Sequence, residues 1–551
     1  MNFRVPIFIV VSFFMLLLPF QGCGQKKQNA EKVSADSLLN RDQNEWSRSI
    51  PGSFSSQIKS KFDSIEIGKF IRQYPKFIKF EESIQTFYAH RRLAFAWFDD
   101  KGLIEHAGNL TDRIRNLNSE GVNNELPYYQ ALDSLIYDSD SAQPSYSQKI
   151  KLELMLTAQY FAFAETVWGG LDDKILKEID WNLPRKKVSY EKYLDSILES
   201  PPGQLMESKA PVNRQYHLLK NFLNQYRVLA EKDNWFKINS GSKSFRLGDS
   251  SEVIKQVKLR LLDLGDLKDA KTDQIFDLNL QNAVIQFQVR HGLKEDGVIG
   301  KGTISELNVP YEYRIKQLLV NMERSRWIPV SLNTDFLLVN IPEFRLHVYT
   351  ANQLAWSCNV VVGKDIHKTV IFSGALKYIA FSPYWNVPKS IVKNELLKDM
   401  SRDRHYLQKH NMEITGYRDG LPEIRQKPGP LNSLGLVKFL FPNSYNIYLH
   451  DTPSKSLFNE SERAFSHGCI RVSEPFKLAQ FLLRNDPSWD DKTITSAMHA
   501  GAERIISLKE KTPVFIVYFT SFVDNKGRIN FRKDIYERDE RLADIIMDSP
   551  I

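Results

Sequence analysis

The chain has 551 residues, enough for three or four domains at roughly 150 residues each. Hydrophobic residues make up 42% and charged residues 25%, which excludes a wholly disordered, collagen-like or coiled-coil chain. Lys and Arg number 74 against 66 Asp and Glu; the net charge of +8 is spread along the chain, fits weak attraction to an anionic surface and requires no nucleic acid.

The first twenty residues form the only long apolar run, which excludes a polytopic membrane protein. Met1 to Cys23 reads as an export signal: Arg4 is the charged start, and Ile7 to Phe20 is apolar apart from Ser12. Fourteen residues suit a signal-peptide core better than a spanning helix. Gly22-Cys23 and the polar residues after it resemble a lipoprotein signal, in which the cysteine becomes the lipidated first residue. Phe20 and Gln21 depart from that pattern, and ordinary cleavage or an uncleaved anchor are the alternatives. The expectation is a signal over 1–22, lipidation at Cys23 and a solvated tether over 23–48 that lets the folded part reach away from a membrane.

Residues 49–243 carry helical periodicity and read as a scaffold; Leu152 to Trp168 repeats its apolar groups at helical spacing and stops at Gly169-Gly170. Residues 244–309 form a compact unit. Val253, Val257, Leu261 and Leu264 share one helical face, with Asp249 and Ser250 as candidate caps. A second helix is expected from Asp277 to His291, with Leu280, Ala283, Val284 and Phe287 inward and Gly292 at its C-terminal cap. DGVIGKGTISELN then opens a short third helix. FRLGDSSEVIKQVKLRLLDLGDL, AVIQFQVRHGL and DGVIGKGTISEL resemble the peptidoglycan-binding three-helix domain. Residues 310–329 read as a connector helix.

After Pro329 the period changes. Phe336 to Ile341, Arg345 to Tyr349 and Leu354 to Val362 read as strands, with a hairpin turn at Thr350 to Gln353. Further strands are expected at Tyr378 to Phe381, Ile447 to Leu449 and Pro513 to Thr520. Residues 385–425 interrupt this β-rich domain (330–525) with a charged helical insertion, a length often seen in lids. Residues 526–551 read as a charged, peripheral tail. The fold class is therefore α+β and multidomain: helical scaffold, three-helix module, and a β-rich domain with an inserted helical lid.

The chemistry concentrates in His450-Asp451-Thr452-Pro453 and in Ser466-His467-Gly468-Cys469-Ile470-Arg471-Val472. A thiol with a pKa of about 8.5 is only a few per cent thiolate near neutrality and needs a base and a positive neighbourhood. His450, at a strand end nineteen residues upstream, is the candidate base for Cys469. Gly468 permits a tight turn that aims amides at one spot, the geometry of an oxyanion hole, where one donor is worth about 2.7–4 kcal/mol. Arg471 suits a bidentate carboxylate contact. Three alternatives stand beside this reading: a zinc site of His450, His467 and Cys469, lacking any Cys-x-x-Cys pair; a disulfide from Cys469 to Cys358; and an inert core cysteine.

SHGCIRV with the upstream histidine resembles the L,D-transpeptidase catalytic domain. VVVGK, PYWNVPKSI, PGPLNSLGLVKFLFPN, IYLHDTP and VFIVYFT resemble the long, multidomain murein type over about residues 80–540. The resemblance implies a thioester exchange on peptidoglycan stem peptides without metal or organic cofactor. Cys469 attacks the carbonyl of the third residue of a donor tetrapeptide, D-alanine leaves, and an acceptor amine completes a 3→3 cross-link. It implies His450 as proton relay, the amides of His467, Gly468 and Cys469 as oxyanion hole, Ser466 and His467 as loop-shaping, and Tyr384, Trp385 and Asn386 lining the donor site. The partners are peptidoglycan and, through the lipid anchor, a membrane, in a periplasm-facing envelope location. An L,D-carboxypeptidase using water, a non-catalytic wall anchor, and transfer of an outer-membrane protein onto the wall are the rival readings.

Overall fold

The computed structural model describes residues 60–548 apart from 101, 124, 142–143, 185–187, 201–209, 233–234, 242, 269–270 and 330–333. The expected signal, Cys23 and the tether lie outside the described residues. Among the described residues no helix is long and apolar enough to cross a membrane.

The scaffold is helical as expected, with a two-residue β pairing of Phe98–Asp99 with Gly102–Leu103. Its centre is α1 (Tyr146–Phe163), started by a capping box between Ser145 and Gln148. Leu152, Leu154, Met155, Leu156, Tyr160 and Phe163 are all buried, so α1 is covered all round and carries no simple amphipathic stripe. Glu153 within it is fully buried. Its carboxylate accepts from the Tyr88 hydroxyl at 2.7 Å and from the amides of Ala96 and Trp97 at 2.5 and 3.1 Å, while burial pushes its pKa up to about 7. The helix runs on through a π-helical turn, Ala164–Gly169, and ends at Gly170. A later helix, α2 (Arg214–Glu231), completes the scaffold core.

The three-helix module holds α3 (Glu252–Asp263), α4 (Leu278–Arg290) and α5 (Lys301–Leu307). Its first cap differs from expectation. Ser251, not Asp249 or Ser250, accepts the Val253 amide at 3.3 Å. The buried face is accordingly Ile254, Val257 and Leu261, with Val253 only partly buried. Asp277 caps α4 by accepting from Leu280 at 2.7 Å.

The connector is α6 (Tyr311–Trp327), and it is a spine rather than a spacer. It packs along α2 and buries Leu318, Val320, Met322 and Trp327. The charged residues buried in its C-terminal half are paired. Arg324 reaches Asp539 at 2.6 Å, Arg326 pairs with Glu323 and donates to the Val167 carbonyl at 2.7 Å, and Glu323 accepts from the Leu171 amide at 2.6 Å.

The β-rich domain begins with β1 (Phe336–Asn340), β2 (Arg345–Thr350), β3 (Gln353–Gly363) and β4 (Ile371–Phe381). The inserted segment supplies β5 (Trp385–Asn386), β6 (Met412–Arg418) and β7 (Leu421–Gln426). The main sheet resumes with β8 (Val437–Leu440), β9 (Leu449–His450), β10 (Ala464–Ser466), β11 (Ile470–Val472) and β12 (Arg504–Val517). Its order is β8-β9-β11-β3-β2-β1-β12-β4, with Trp181–Asn182 of the scaffold pairing beside β4 and β10 beside β3; β8 also pairs with β4, so the ring of pairings closes. Val339, Leu346, Val360, Val437, Leu449, Ile470 and Ile516 fill it. The insertion is helical between Lys389 and Lys409, as expected, but its second half is the β6–β7 hairpin, joined by β5. It has its own small core of Val387, Ile391, Val392, Leu396 and Ile424.

The expectation of a peripheral tail over 526–551 does not hold. Ile529–Phe531 pairs with Ser521–Val523, Phe531 and Tyr536 are buried, and α7 (Asp539–Asp548) packs on α6. The charges that suggested a solvated tail include Arg532 and Asp539, both of which are bonded into the fold.

Candidate active site

β9 and β11 run parallel, with His450 opposite Arg471; on the other side of β9, Lys438 of β8 stands opposite His450. Directly opposed residues put their side chains on the same face of a sheet. Lys438, His450 and Arg471 thus form a row across three strands, and Cys469 precedes β11 by one residue.

The loop that presents Cys469 is held by short polar contacts. Gly468 has φ 108°, a region that favours glycine. Its amide donates to Ser466 Oγ at 3.1 Å, and that hydroxyl donates to the Cys469 carbonyl at 2.6 Å. The Gly468 carbonyl accepts from Thr369 Oγ1 at 2.9 Å, which in turn accepts from the Gly363 amide at 2.9 Å. A Cβ on Gly363 would collide with the His367 carbonyl and lie 3.1 Å from Gly468 Cα, so the loop needs glycine on both sides of this contact. Tyr536 donates to the Gly363 carbonyl at 2.5 Å and accepts from the Thr369 amide at 3.2 Å.

Cys469 is half-buried, and its Sγ faces the Asn446 carbonyl at 3.7 Å. Burial pushes its thiol up; the Tyr448 hydroxyl and amide, then Lys438 and Arg471, pull it back down. The net result is a raised value. Lys438 lies over the Tyr448 ring at 3.9 Å, and burial depresses its own pKa. His450 is 4% exposed, and its Nδ1 donates to the Asp451 carbonyl at 2.5 Å. Burial first, then the Arg471 charge, pushes its pKa down to about 3. The imidazole is therefore neutral near pH 7, with Nε2 carrying the free lone pair. Asp451 fixes this corner by accepting from the amides of Leu436 at 2.9 Å and Thr452 at 2.7 Å and by pairing with Lys455.

These features sit within matched families. Residues 334–516 match the L,D-transpeptidase catalytic domain, residues 82–223 the "Scaffold domain", and residues 250–307 the "Putative peptidoglycan binding domain". Residues 334–516 are thus similar to an L,D-transpeptidase catalytic domain. A curated relative from Haemophilus influenzae, named "Putative L,D-transpeptidase", is 31% identical over 251 residues, spanning 42% of this chain and 50% of the relative. An L,D-transpeptidase structure from Xylanimonas cellulosilytica is 15% identical, with 51% of this chain and 100% of that chain covered and a TM-score of 0.18. One from Stackebrandtia nassauensis is also 15% identical, with 51% and 97% covered and a TM-score of 0.22.

Within the transpeptidase domain, the sequence-derived residues fall into two groups. His450, Ser466, His467, Gly468, Cys469 and Arg471 are brought together by β9, β11 and the loop between them. Tyr384, Trp385 and Asn386 stand at the root of the insertion. The Tyr384 amide donates to Glu503 at 3.0 Å, Arg425 lies over its ring at 4.2 Å, Trp385 packs on the insertion's core, and Asn386 is exposed. None of the three hydrogen-bonds Cys469 among the described residues. Two details depart from the sequence expectation. The Gly468 amide is engaged by Ser466, and the hydroxyl beside the thiol belongs to Tyr448, while no hydrogen bond joins His450 to Cys469 among the described residues. Tyr448 and Lys438 were missed, although LVKFLFPN and IYLHDTP each carry one of them at alternate strand positions. Cys358 is a buried, free thiol, so no bridge ties it to Cys469. Among the described residues no group of three or more His, Cys, Asp or Glu is arranged to hold a metal ion.

Proposed function

We propose that the protein is a cysteine-dependent L,D-transpeptidase that forms 3→3 cross-links between peptidoglycan stems. The observation that carries this is the row of Lys438, His450 and Arg471 beside the Cys469 thiol. His450 Nε2 takes the thiol proton, and the thiolate attacks the carbonyl of the third residue of a donor tetrapeptide. The amides of His467 and Cys469 hold the oxyanion. Collapse breaks the peptide bond, and His450 returns its proton to the departing D-alanine amine. An acceptor amine then attacks the thioester, passes a proton to His450, and releases the cross-link and the thiol. Arg471, whose buried Nε has no hydrogen-bond partner among the described residues, offers a donor to a substrate carboxylate.

A second reading, an L,D-carboxypeptidase, differs only in using water to resolve the thioester. The insertion bears on that choice because Glu395 meets His467 Nε2 at 2.8 Å, directly over the thiol loop. A segment held there excludes water and favours the amine. Purified disaccharide-tetrapeptide with mass analysis of the products is the decisive experiment: dimer plus D-alanine supports transpeptidation, and tripeptide alone supports the carboxypeptidase. We place the enzyme in the cell envelope, anchored through lipid on Cys23, with the three-helix module as a second grip that raises effective concentration at the polymer. Metabolic labelling with a fatty acid, compared in wild type and Cys23→Ala, tests the anchor.

A further inference from the structure

Between the three-helix module and the β-rich domain lies a cleft of about 820 Å³, within the range of small-ligand sites. One wall is the turn after α4, His291 to Glu295; the other is Glu343 to Arg345 together with Phe458 to Arg463. The C-terminal segment adds Arg532.

Three guanidinium groups meet here, and each is held by neutral acceptors. Arg532 donates to the carbonyls of Arg290 and Phe531, both at 2.8 Å. Arg463 donates to the carbonyls of Glu460 and Phe344, and Arg345 to Asn359 Oδ1 at 3.3 Å. Arg463 Nε is buried with no hydrogen-bond partner among the described residues. The carboxylate nearest them, Glu343, is bonded to His347 at 2.9 Å and to Asn340 at 3.3 Å. Of the other lining carboxylates, Glu306 pairs with Arg314 and Glu462 with Lys533, Asp534 accepts from the Tyr518 hydroxyl at 2.5 Å, and Glu295 and Glu460 stand at the rim. Burial, then Arg345 and Arg532, bring Arg463 down to about 10. Adjacent guanidinium groups repel each other, and a guanidinium fork is the geometry that receives a carboxylate.

We propose that this cleft is a second substrate site, in which Arg345, Arg463 and Arg532 receive the free carboxylates of a wall-polymer stem peptide. The proposal rests on the reading of peptidoglycan as substrate and adds where a stem is held away from the reacting bond. Arg463 precedes Cys469 by six residues, so their Cα atoms lie at most about 21 Å apart. That is within the length of a short extended peptide.

The test uses the full chain with Cys469 alkylated by iodoacetamide, so that binding is read apart from catalysis. Calorimetric titration with a synthetic stem tripeptide carrying free carboxylates should give saturable binding. The fully amidated tripeptide should bind at least tenfold more weakly. Arg463→Gln and Arg345→Gln should each lose at least tenfold for the free-acid peptide; if Arg463→Gln fails to fold, Arg345→Gln decides. Equal binding of acid and amide by the wild-type chain, or undiminished binding in a folded variant, overturns the proposal. Failure of the functional reading registers separately, as no D-alanine release from tetrapeptide by unmodified enzyme.

Discussion

Cys358 lies on β3 and Cys469 just ahead of β11, two strands that pair with each other, yet their thiols differ in exposure and in the charges around them. Cys358 is 5% exposed among Leu346, Val360 and Ile470, and burial pushes it up to about 11. Cys469 is also raised by burial, but Tyr448, Lys438 and Arg471 oppose that rise, and it stays half-exposed. Desolvation is common to both thiols. Donors and a cation act on Cys358 too, through Ser473, Glu474 and Arg345; what separates Cys469 is a pair of cations, Lys438 and Arg471, brought by two strands that flank His450, together with its partial exposure.

The comparison breaks most directly at the sulfur atoms. Cys469→Ala should abolish tetrapeptide turnover and the covalent adduct with a carbapenem, read by intact-protein mass. Cys358→Ala should retain both and lose about 1–2 kcal/mol of stability to a small cavity. An adduct mapped to Cys358 would reverse the assignment.

His450→Gln comes next, with turnover expected to fall by about 10² to 10⁴, the usual worth of a positioned acid–base group. The same variant sharpens the electrostatic side. The imidazole pKa falls from 6.5 unfolded to about 3 folded, so between these values the unfolded chain binds the extra proton. Its contribution to stability is therefore full above about pH 6.5 and is lost as pH falls toward 3, by at most a few kcal/mol. Denaturant midpoints at pH 7 and 4.5 should converge in His450→Gln relative to wild type.

Lys438→Met removes one of the cations that act on Cys469 and none that acts on Cys358. Iodoacetamide alkylation of Cys469 at pH 7.5 should slow several-fold and recover at higher pH, since the remaining thiol titrates later. An unchanged pH–rate profile would show that Tyr448 and Arg471 suffice.

The smallest effect is expected at Glu395→Gln, which weakens a half-exposed contact to His467. Such pairs are worth under about 1 kcal/mol, so the ratio of tripeptide to dimer should rise by no more than about fivefold. Replacing residues 389–426 by a short Gly-Ser turn should raise it further while Cys469 still acylates; an unchanged ratio in both proteins would remove the insertion from the partition between water and amine.

Much of the site was legible because its signals are local. Gly468 beside Cys469, and a histidine at the end of an apolar strand, follow from turn geometry and periodicity over a few residues. The strands β1 to β3 and the turn at Ala351-Asn352, both at positive φ, were readable for the same reason. The tail was misread because charge composition reports solvation only when the charges lack partners, and Arg532 and Asp539 find theirs in remote elements. The cap at Ser251 was misplaced by one residue, enough to exchange Val253 for Ile254 in the buried face.

The sequence by itself determined the modules, the motif loop and the identity of the candidate nucleophile and base, since these depend on residue type and short spacing. Only the tertiary structure decided which groups surround the thiol. Lys438 reaches it through the β8–β9 register and Arg471 through the β9–β11 register, and Tyr536 supports its loop from 67 positions downstream. The physical reason is that a strand register fixes every opposed pair at once, whereas a sequence records only what each residue is able to do when its partner arrives.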